Sequence, residues 1–349
     1  MRYQMKQHER EYFIARIRTG LYYIKDEDDM IVVRTPTIQE NYKIERMFFE
    51  EYDKCLNQGV PTSDELLKEM NTRGLWTEED EQKIKGFKED IENLQVKCFR
   101  ARFDNQQRQL IKKVLKSGKE QLLQHISKKQ QFIENTCEGL AQSKKIIETI
   151  KMCSSYEDGT SIDFEKIPPE SIAYTLNTLY LSEEQIRDLA RNEPWKQLWI
   201  LNENNIGRLF DNRDFELTSD QNHILIWARM YDSVFESMET PPEDVFEDDD
   251  MLDGWFVVQK RKREKEEAQS EIDSLSGNHG DAGEVFVMAR DKKDVDKINS
   301  ANSTQAKKVK QQREQVIKQQ GTAKDTDFLD QKIRLQQQSN QMYKDKFRR

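Results

Sequence analysis

The chain has 349 residues and a net charge of −9, which leaves room for two or three domains on length alone. Charged and hydrophobic residues each make up 35% of the chain, and the mean hydropathy of −0.95 is far below that of an ordinary globular enzyme. This composition excludes a large apolar core. It predicts long solvated helices that each bury one stripe.

The charge is unevenly distributed along the chain. Residues 291–349 contain fifteen Lys or Arg and eight Asp or Glu, a net of +7, which leaves −16 on residues 1–290. An acidic body repels nucleic acid, so only the basic tail is predicted to contact it. The tail, which has eleven glutamines after Ala301, is expected to be partly disordered or to need a partner for its helices.

Metal and membrane sites are not predicted. The four cysteines form no CxxC pair, and zinc sites usually take close-spaced ligands. Cys98 and Cys137 fall on apolar helical stripes, where cysteine acts as a small hydrophobe. No apolar run approaches eighteen residues. We therefore expect a soluble protein made in a reducing cytoplasm, without cofactors and without a membrane partner.

The first predicted element is a β-hairpin. Within residues 11–35, which hold the strongest strand signal, Tyr12–Arg18 leads into Leu21–Ile24, and Met30–Val33 follows an acidic turn. Because an isolated hairpin is marginally stable, we expect it to pack on the next helices or to pair with another chain.

Three helix starts are predicted next. One helix opens at Pro36-Thr37 and runs to about Cys55, and Thr77 caps a later one. Between them, Thr62 and Glu65 form a capping box for a short helix that ends near Gly74. The predicted buried face of the first helix consists of Tyr42, Ile44, Met47, Phe48 and Tyr52.

Residues 77–153 have the spacing of a coiled coil. A 3-4-3-4-3 pattern links Ile84, Phe87, Ile91, Leu94, Cys98 and Ala101, and heptad spacing resumes between Leu122 and Ile150. Ser117-Gly118 is the only break signal between the stripes. We predict either a helical hairpin folded at Gly118 or a single kinked rod, and the hairpin is favoured because the stripes can cover each other. Residues 84–150 could also form a homo-oligomer.

A compact helical module is predicted after a linker at residues 154–161. Its helices start at Pro169, Ser182 and Thr218, and Pro194 interrupts or ends one of them. Trp195 and Trp199 share one helix face by their i, i+4 spacing. With Trp227 they are predicted to form the core of this module.

The most informative stretch follows at residues 241–263. It contains an acidic segment (residues 243–253), then a short apolar run and the basic run Lys260–Arg263. Because unpaired carboxylates are costly to bury, this stretch favours a surface anchor for a protein partner. The predicted partner-binding residues are Asp248, Asp249, Asp250, Asp253, Trp255 and Phe256. The alternative is that these carboxylates complement the dipole of a further helix.

No catalytic constellation is recognisable. The glycines form no phosphate-binding loop, and the four histidines are scattered. His125 is predicted to be a solvated helix residue. His223 is predicted to make a local hydrogen bond near Asp220. An EF-hand register fails at residues 248–253, because Leu252 and Asp253 occupy the fifth and sixth positions. Catalytic, cofactor-binding and metal residues are therefore all predicted to be absent.

The motifs together resemble those of structural and assembly proteins of tailed bacteriophages. The resemblance covers roughly residues 60–265 and rests on Gly74–Glu81 with the rod after it, the Trp195/Trp199 helix, Trp227–Asp232, and Asp248–Trp255 with its basic continuation. It implies a non-enzymatic protein of the virion or of virion assembly, found in the host cytoplasm during infection or in the particle, with other phage structural proteins as partners. The alternative is a nucleic-acid-associated protein that uses the basic tail.

The sequence thus predicts a mainly α fold in four parts. These are an N-terminal hairpin with helices (1–76), a coiled-coil-like rod (77–153), a compact helical module (162–273) and a flexible basic tail (274–349).

Overall fold

The computed structural model describes residues 4–26, 29–202, 205–211 and 214–276, together with Gln311. These residues form twelve α-helices, a 3-10 turn at Ile206–Arg208 and three strands. The strands are β1 Tyr22–Asp26, β2 Asp29–Val33 and β3 Ser154–Tyr156. The helices are α1 Gln7–Thr19, α2 Ile38–Asn57, α3 Ser63–Thr72, α4 Glu78–Arg100, α5 Asn105–Ile133, α6 Cys137–Cys153, α7 Pro169–Leu179, α8 Glu183–Arg191, α9 Trp195–Asn202, α10 Ser219–Phe235, α11 Glu243–Phe246 and α12 Asp249–Ser276.

The chain divides into two compact units, Met1–Trp255 and Phe256–Arg349. The first holds the sheet and the packed helices. In the second, the described stretch is helical and ends at Ser276. The predictions for the basic tail beyond that residue, including its disorder, lie outside the described residues. The mainly α fold class is confirmed.

The predicted hairpin is confirmed as β1 and β2, an antiparallel pair in which Tyr22 lies opposite Val33. Its pleat buries one face, and the apolar core of the sheet consists of Tyr22, Ile24, Ile31, Val33, Ile150, Ile162 and Ile172. The free edge of β2 pairs with β3, with Ile31 opposite Tyr156. The hairpin is stabilised by this third strand, which lies in the stretch predicted as a linker, and by the packing of Ile150 of α6 and Ile172 of α7 against the sheet.

The strand signal at Tyr12–Arg18 is wrong, because these residues belong to α1. Ile14 and Ile17 are buried at helical spacing. Gly20 then takes a left-handed conformation (φ 67°) and its amide caps the carbonyl of Arg16. The β-branched residues are helical here because two of them face the core.

The predicted helix starts are confirmed by their caps. The Thr37, Thr62, Ser182 and Thr218 side chains each accept a hydrogen bond from the backbone N–H three residues on. At the start of α2, Arg34 adds two hydrogen bonds of 2.7 Å to the Glu40 carboxylate. The predicted buried face of α2 is wrong at Tyr42, which is 75% exposed.

The rod is a helical hairpin, but it does not fold at Gly118. Helix α5 continues through that residue, and the chain turns at residues 101–104 instead, where the Asp104 carboxylate caps α5 by accepting from Gln107 N–H at 3.0 Å. Gly118 is tolerated inside the helix because it lies where α5 meets α4. A Cβ atom built at Gly118 would lie 3.7 Å from Cγ1 of Ile91. A further helix, α6, packs on α2.

The tryptophan core of the compact module is confirmed at two positions. Trp195 and Trp199 are buried, and their rings stack with centroids 6.4 Å apart. Trp227 is half-buried. Helix α8 packs on α10, which brings the cationic end of α8 toward the residues that follow α10.

Candidate functional site

The acidic segment extends from α11 into the first turns of α12. Pro242 starts α11, and Asp248 precedes α12. The Asp248 side chain accepts a hydrogen bond from Met251 N–H at 3.3 Å, and its carbonyl accepts one from Leu252 N–H at 2.8 Å. Asp248 therefore caps α12, and Asp249 and Asp250 lie in its positive first turn. The prediction of carboxylates at the start of a helix is confirmed.

Apolar side chains anchor this segment in the core. Val245 and Leu252 are fully buried, Met251 is 1% exposed and Trp255 is 6% exposed. The predicted surface position of Trp255 is thus wrong. Its charged neighbourhood in sequence concealed the periodicity of Met251, Leu252 and Trp255, which places all three on one side of a helix. Phe256 is half-buried.

Gly254 lets the backbone of α12 approach α4 closely. A Cβ at this position would come within 2.9 Å of the Cβ of Phe99 and 2.6 Å of the carbonyl carbon of Gln95. Any larger residue would push the two helices apart. The side chain of Gln95 crosses the same contact and donates to Asp253 at 3.2 Å.

On one side, the acidic segment contacts the basic helix α5, whose sequence contains seven cationic residues and one acidic residue. Lys112 Nζ lies 2.5 Å from the carboxylate of Asp248 and 3.9 Å from that of Asp250. Lys119 Nζ lies 3.2 Å from Asp250. These ion pairs are partly exposed, so each contributes little by itself.

On the other side, the segment covers two buried arginines of α8. Arg187, which is 3% exposed, lies 3.0 Å from Asp249 and 2.8 Å from Asp253. Its guanidinium also lies 4.0 Å from the centroid of the Trp227 ring. Arg191 approaches Asp249 to 2.7 Å and donates to the carbonyl of Phe246 at 3.0 Å.

Burial changes the protonation equilibria around these arginines. Burial alone would lower the pKa of Arg187, but Asp253 and Asp249 beside it raise that pKa above its ordinary value. Burial raises the pKa of the Tyr231 hydroxyl to about 12, against the opposing effect of Arg191 and Arg187. Arg187 therefore remains charged and Tyr231 remains neutral across the physiological range.

The geometry joins three helices through one set of charges. Asp248 and Asp250 bind α5, Asp249 and Asp253 bind α8, and all four belong to the start of α12 or the residue before it. We call this arrangement the carboxylate clamp. The four predicted partner-binding aspartates are thus brought together by intramolecular pairs, and binding of a partner by them stays a prediction.

Sequence reasoning missed the cationic half of the clamp. Arg187 and Arg191 are spaced i, i+4 on one helix face, and Lys112 and Lys119 are seven residues apart. This spacing indicates that each pair of cationic residues shares one helix face. It does not indicate which acidic residues that face contacts. Within the described ranges, no three His, Cys, Asp or Glu side chains are grouped as a metal site would require.

The remaining candidates have local explanations. The His125 ring lies 5.3 Å from that of Phe87, on the seam of the rod. His223 is exposed and its Nδ1 lies 3.4 Å from Ser219 Oγ, so the local partner is Ser219 rather than Asp220. The four cysteines are buried free thiols.

Comparisons with models of protein families, with curated protein sequences and with solved structures found no match. Among the described helices, none combines the length and apolarity needed to cross a bilayer.

Proposed function

We propose that this chain is a non-enzymatic structural or assembly protein of a tailed bacteriophage, which acts through contacts with other proteins of the particle. The observation that carries the proposal is a set of exposed apolar side chains in the turn of the α4–α5 hairpin and along the first turns of α5. Phe103 is 87% exposed, Leu110 is 64% exposed and Val114 is 56% exposed. Large apolar side chains grouped on a surface are typical of protein interaction sites.

The surroundings of this hairpin turn support a protein partner. Leu110 and Val114 share one face of α5 by their i, i+4 spacing. Phe103 lies in the turn with the guanidinium of Arg102 4.6 Å from its ring centroid. Aromatic and arginine side chains are enriched in the hot spots of protein interfaces. The carboxylate clamp holds α5 in place behind this surface, so the turn is presented on a fixed helix.

The phage assignment rests on the sequence resemblance over residues 60–265. The decisive measurement is mass spectrometry of purified, nuclease-treated phage particles, with the copy number taken relative to the major capsid protein. Stoichiometric presence would make the chain a virion component. Abundance in infected lysate with absence from particles would make it an assembly factor, and absence from both would contradict the proposal.

The role of the hairpin turn is tested by Leu110→Asp with Val114→Asp. We expect the double variant to fold normally and to lose co-purification with its phage partners, because a charge would be desolvated in the contact. The matched control is Leu123→Asp, a residue 63% exposed on the opposite side of α5. Equal loss in both variants would contradict a contact at the turn.

A second candidate function is nucleic-acid association through the basic tail. It is favoured by the net charge of +7 on residues 291–349. Counterion release makes such binding fall steeply with salt. DNA retention that disappears both at high salt and on removal of residues 291–349 would support it, and retention that survives the truncation would contradict it.

A further inference from the structure

Helix α2 carries apolar side chains that the described part of the chain leaves uncovered. Ile38 is 80% exposed, Tyr42 75%, Phe49 60% and Leu56 47%. We call these four residues the α2 stripe. At about 100° per residue they fall within roughly 40° of one another on the helix, so they form one continuous line. A solvated helix face would carry polar residues at these positions.

The α2 stripe has the spacing of a helix-packing seam. With Glu45 and the half-buried Tyr52, its residues follow one another at intervals of 4, 3, 4, 3 and 4. This alternation keeps every position of the line facing a second helix, as in a coiled coil. The seam is separate from the face of α2 that packs in the core, where Ile44 and Cys55 are buried.

The stripe is a fixed surface. Its N-terminal end is held by the Thr37 capping box and by the two hydrogen bonds from Arg34 to Glu40. Along its length, α2 packs on α6. A partner that binds the stripe therefore meets a preformed helix and does not have to order it.

We propose that the α2 stripe is a two-fold interface at which α2 pairs antiparallel with α2 of a second copy of this chain. The order of side chains supports self-pairing, because it reads almost the same in both directions. It runs aliphatic, Tyr, Glu, Phe, Tyr, aliphatic from Ile38 to Leu56. An antiparallel pair centred on residue 47 places Ile38 opposite Leu56, Tyr42 opposite Tyr52 and Glu45 opposite Phe49, which is the self-complementarity of an isologous contact.

The charges along the seam are compatible with this pairing. Glu45, the only charged residue in the line, is already paired with Lys145 of its own chain. On the polar flank, Arg46 and Glu50 form an ion pair at 3.2 Å. Both lie close to the two-fold axis, so each Arg46 would lie two residues along the axis from Glu50 of the second copy and equally close to its Arg46. Each Arg46 is paired with Glu50 of its own chain, so the two flanks bring alternating charges and no uncompensated like charge to the axis.

The area agrees with a weak dimer. From the usual areas of aromatic and aliphatic side chains, the stripe exposes on the order of 400 Å² per chain. Two copies would bury about 800 Å² of apolar surface, and the flanking charged residues bring the total to the lower end of the range for specific complexes. We expect a dissociation constant on the order of 10 µM. The inference does not depend on the proposed function.

The first test is sedimentation velocity of the full chain over a range of concentrations. We expect a monomer–dimer equilibrium, which Phe49→Glu shifts at least tenfold toward monomer. Tyr174→Glu is the matched control, because Tyr174 is 74% exposed on α7, and it should leave the equilibrium unchanged. A chain that stays monomeric at ten times the expected dissociation constant, or a dimer that Phe49→Glu does not weaken, would overturn the proposal.

The second test determines the orientation. Ile38→Cys and Leu56→Cys are prepared separately, and the four native thiols are buried. Under mild oxidation we expect a disulfide-linked dimer only when the two variants are mixed. Cross-linking of Ile38→Cys with itself would mean a parallel pair and would overturn the antiparallel arrangement. Absence of cross-linking in the mixture would remove the α2 stripe as the interface.

Discussion

Gly254 lies where α12 comes closest to α4. Its missing side chain leaves room for the carbonyl of Gln95, and this contact allows Met251, Leu252 and Trp255 to reach the core. A glycine inside a helix costs about 1 kcal/mol relative to alanine. At this position the cost is offset because the close approach buries three large side chains.

We predict that Gly254→Ala lowers the free energy of unfolding by about 1 to 3 kcal/mol, because the added methyl group collides with the backbone of α4. Chemical denaturation measures the change. Gly86→Ala is the control. Gly86 lies on α4, and a Cβ atom built there meets no other atom within 4 Å. That variant should be unchanged or more stable by up to about 1 kcal/mol. Equal effects at both sites would contradict the packing argument.

Glu40 couples the stability of the fold to pH. The hydrogen bonds from Arg34 lower the pKa of Glu40 from 4.5 to about 2. Because the folded-state pKa is depressed, the stabilisation is complete above pH 4.5 and is lost as the pH falls toward 2. We predict that Glu40→Gln flattens the dependence of unfolding free energy on pH in this window, measured by denaturation at several pH values. An unchanged slope would mean that other carboxylates dominate it.

At the scale of elements, the carboxylate clamp has two unequal halves. The pairs with Lys112 and Lys119 are partly exposed, whereas Arg187 and Arg191 are 3% and 4% exposed. Removing one partner of a buried ion pair leaves a desolvated charge without a counter-charge, whereas the charge left by an exposed pair is solvated by water. The α8 half therefore contributes more to holding α12 than the α5 half.

We predict that Arg187→Met destabilises the fold by about 3 kcal/mol, because Asp253 loses its buried partner. Lys119→Met on α5 should cost less than about 1 kcal/mol. Both are measured by urea denaturation with far-ultraviolet circular dichroism. A ranking in which Lys119→Met costs more would contradict the assignment of the stronger half to α8. Replacing Asp253 with Asn in the Arg187→Met background should recover part of the loss, since it removes the unpaired charge.

The helical rod shows which helix boundaries can be predicted from the sequence. The heptad line on α4 is predicted correctly, and the packing of α4 on α5 follows from it. The turn is not predicted correctly, because Gly118 is a stronger local break signal than residues 101–104. Tertiary contact with Ile91 keeps Gly118 helical, while the Asp104 cap starts α5 where no proline or glycine marks the break.

At the scale of the whole molecule, the packed core belongs to the unit Met1–Trp255. We predict that removing residues 291–349 leaves the thermal midpoint within about 2 °C of the full chain, because every buried apolar side chain of the described core lies between Met5 and Trp255. Differential scanning calorimetry of both chains measures the change. Loss of the cooperative transition on truncation would show that the removed residues stabilise the body.

The sequence by itself determined the mainly helical class, the hairpin and the capped helix starts at Thr37, Thr62, Ser182 and Thr218. These features depend on periodicity and on side chains within a few residues of the backbone groups that they satisfy. Only the tertiary structure decided that β3 completes the sheet, that Tyr42 faces outward, and that Asp248–Asp253 are paired with α5 and α8. Those outcomes depend on which residues, more than 50 positions away in the chain, supply the opposite charge, strand edge or apolar surface. Local sequence does not specify such partners.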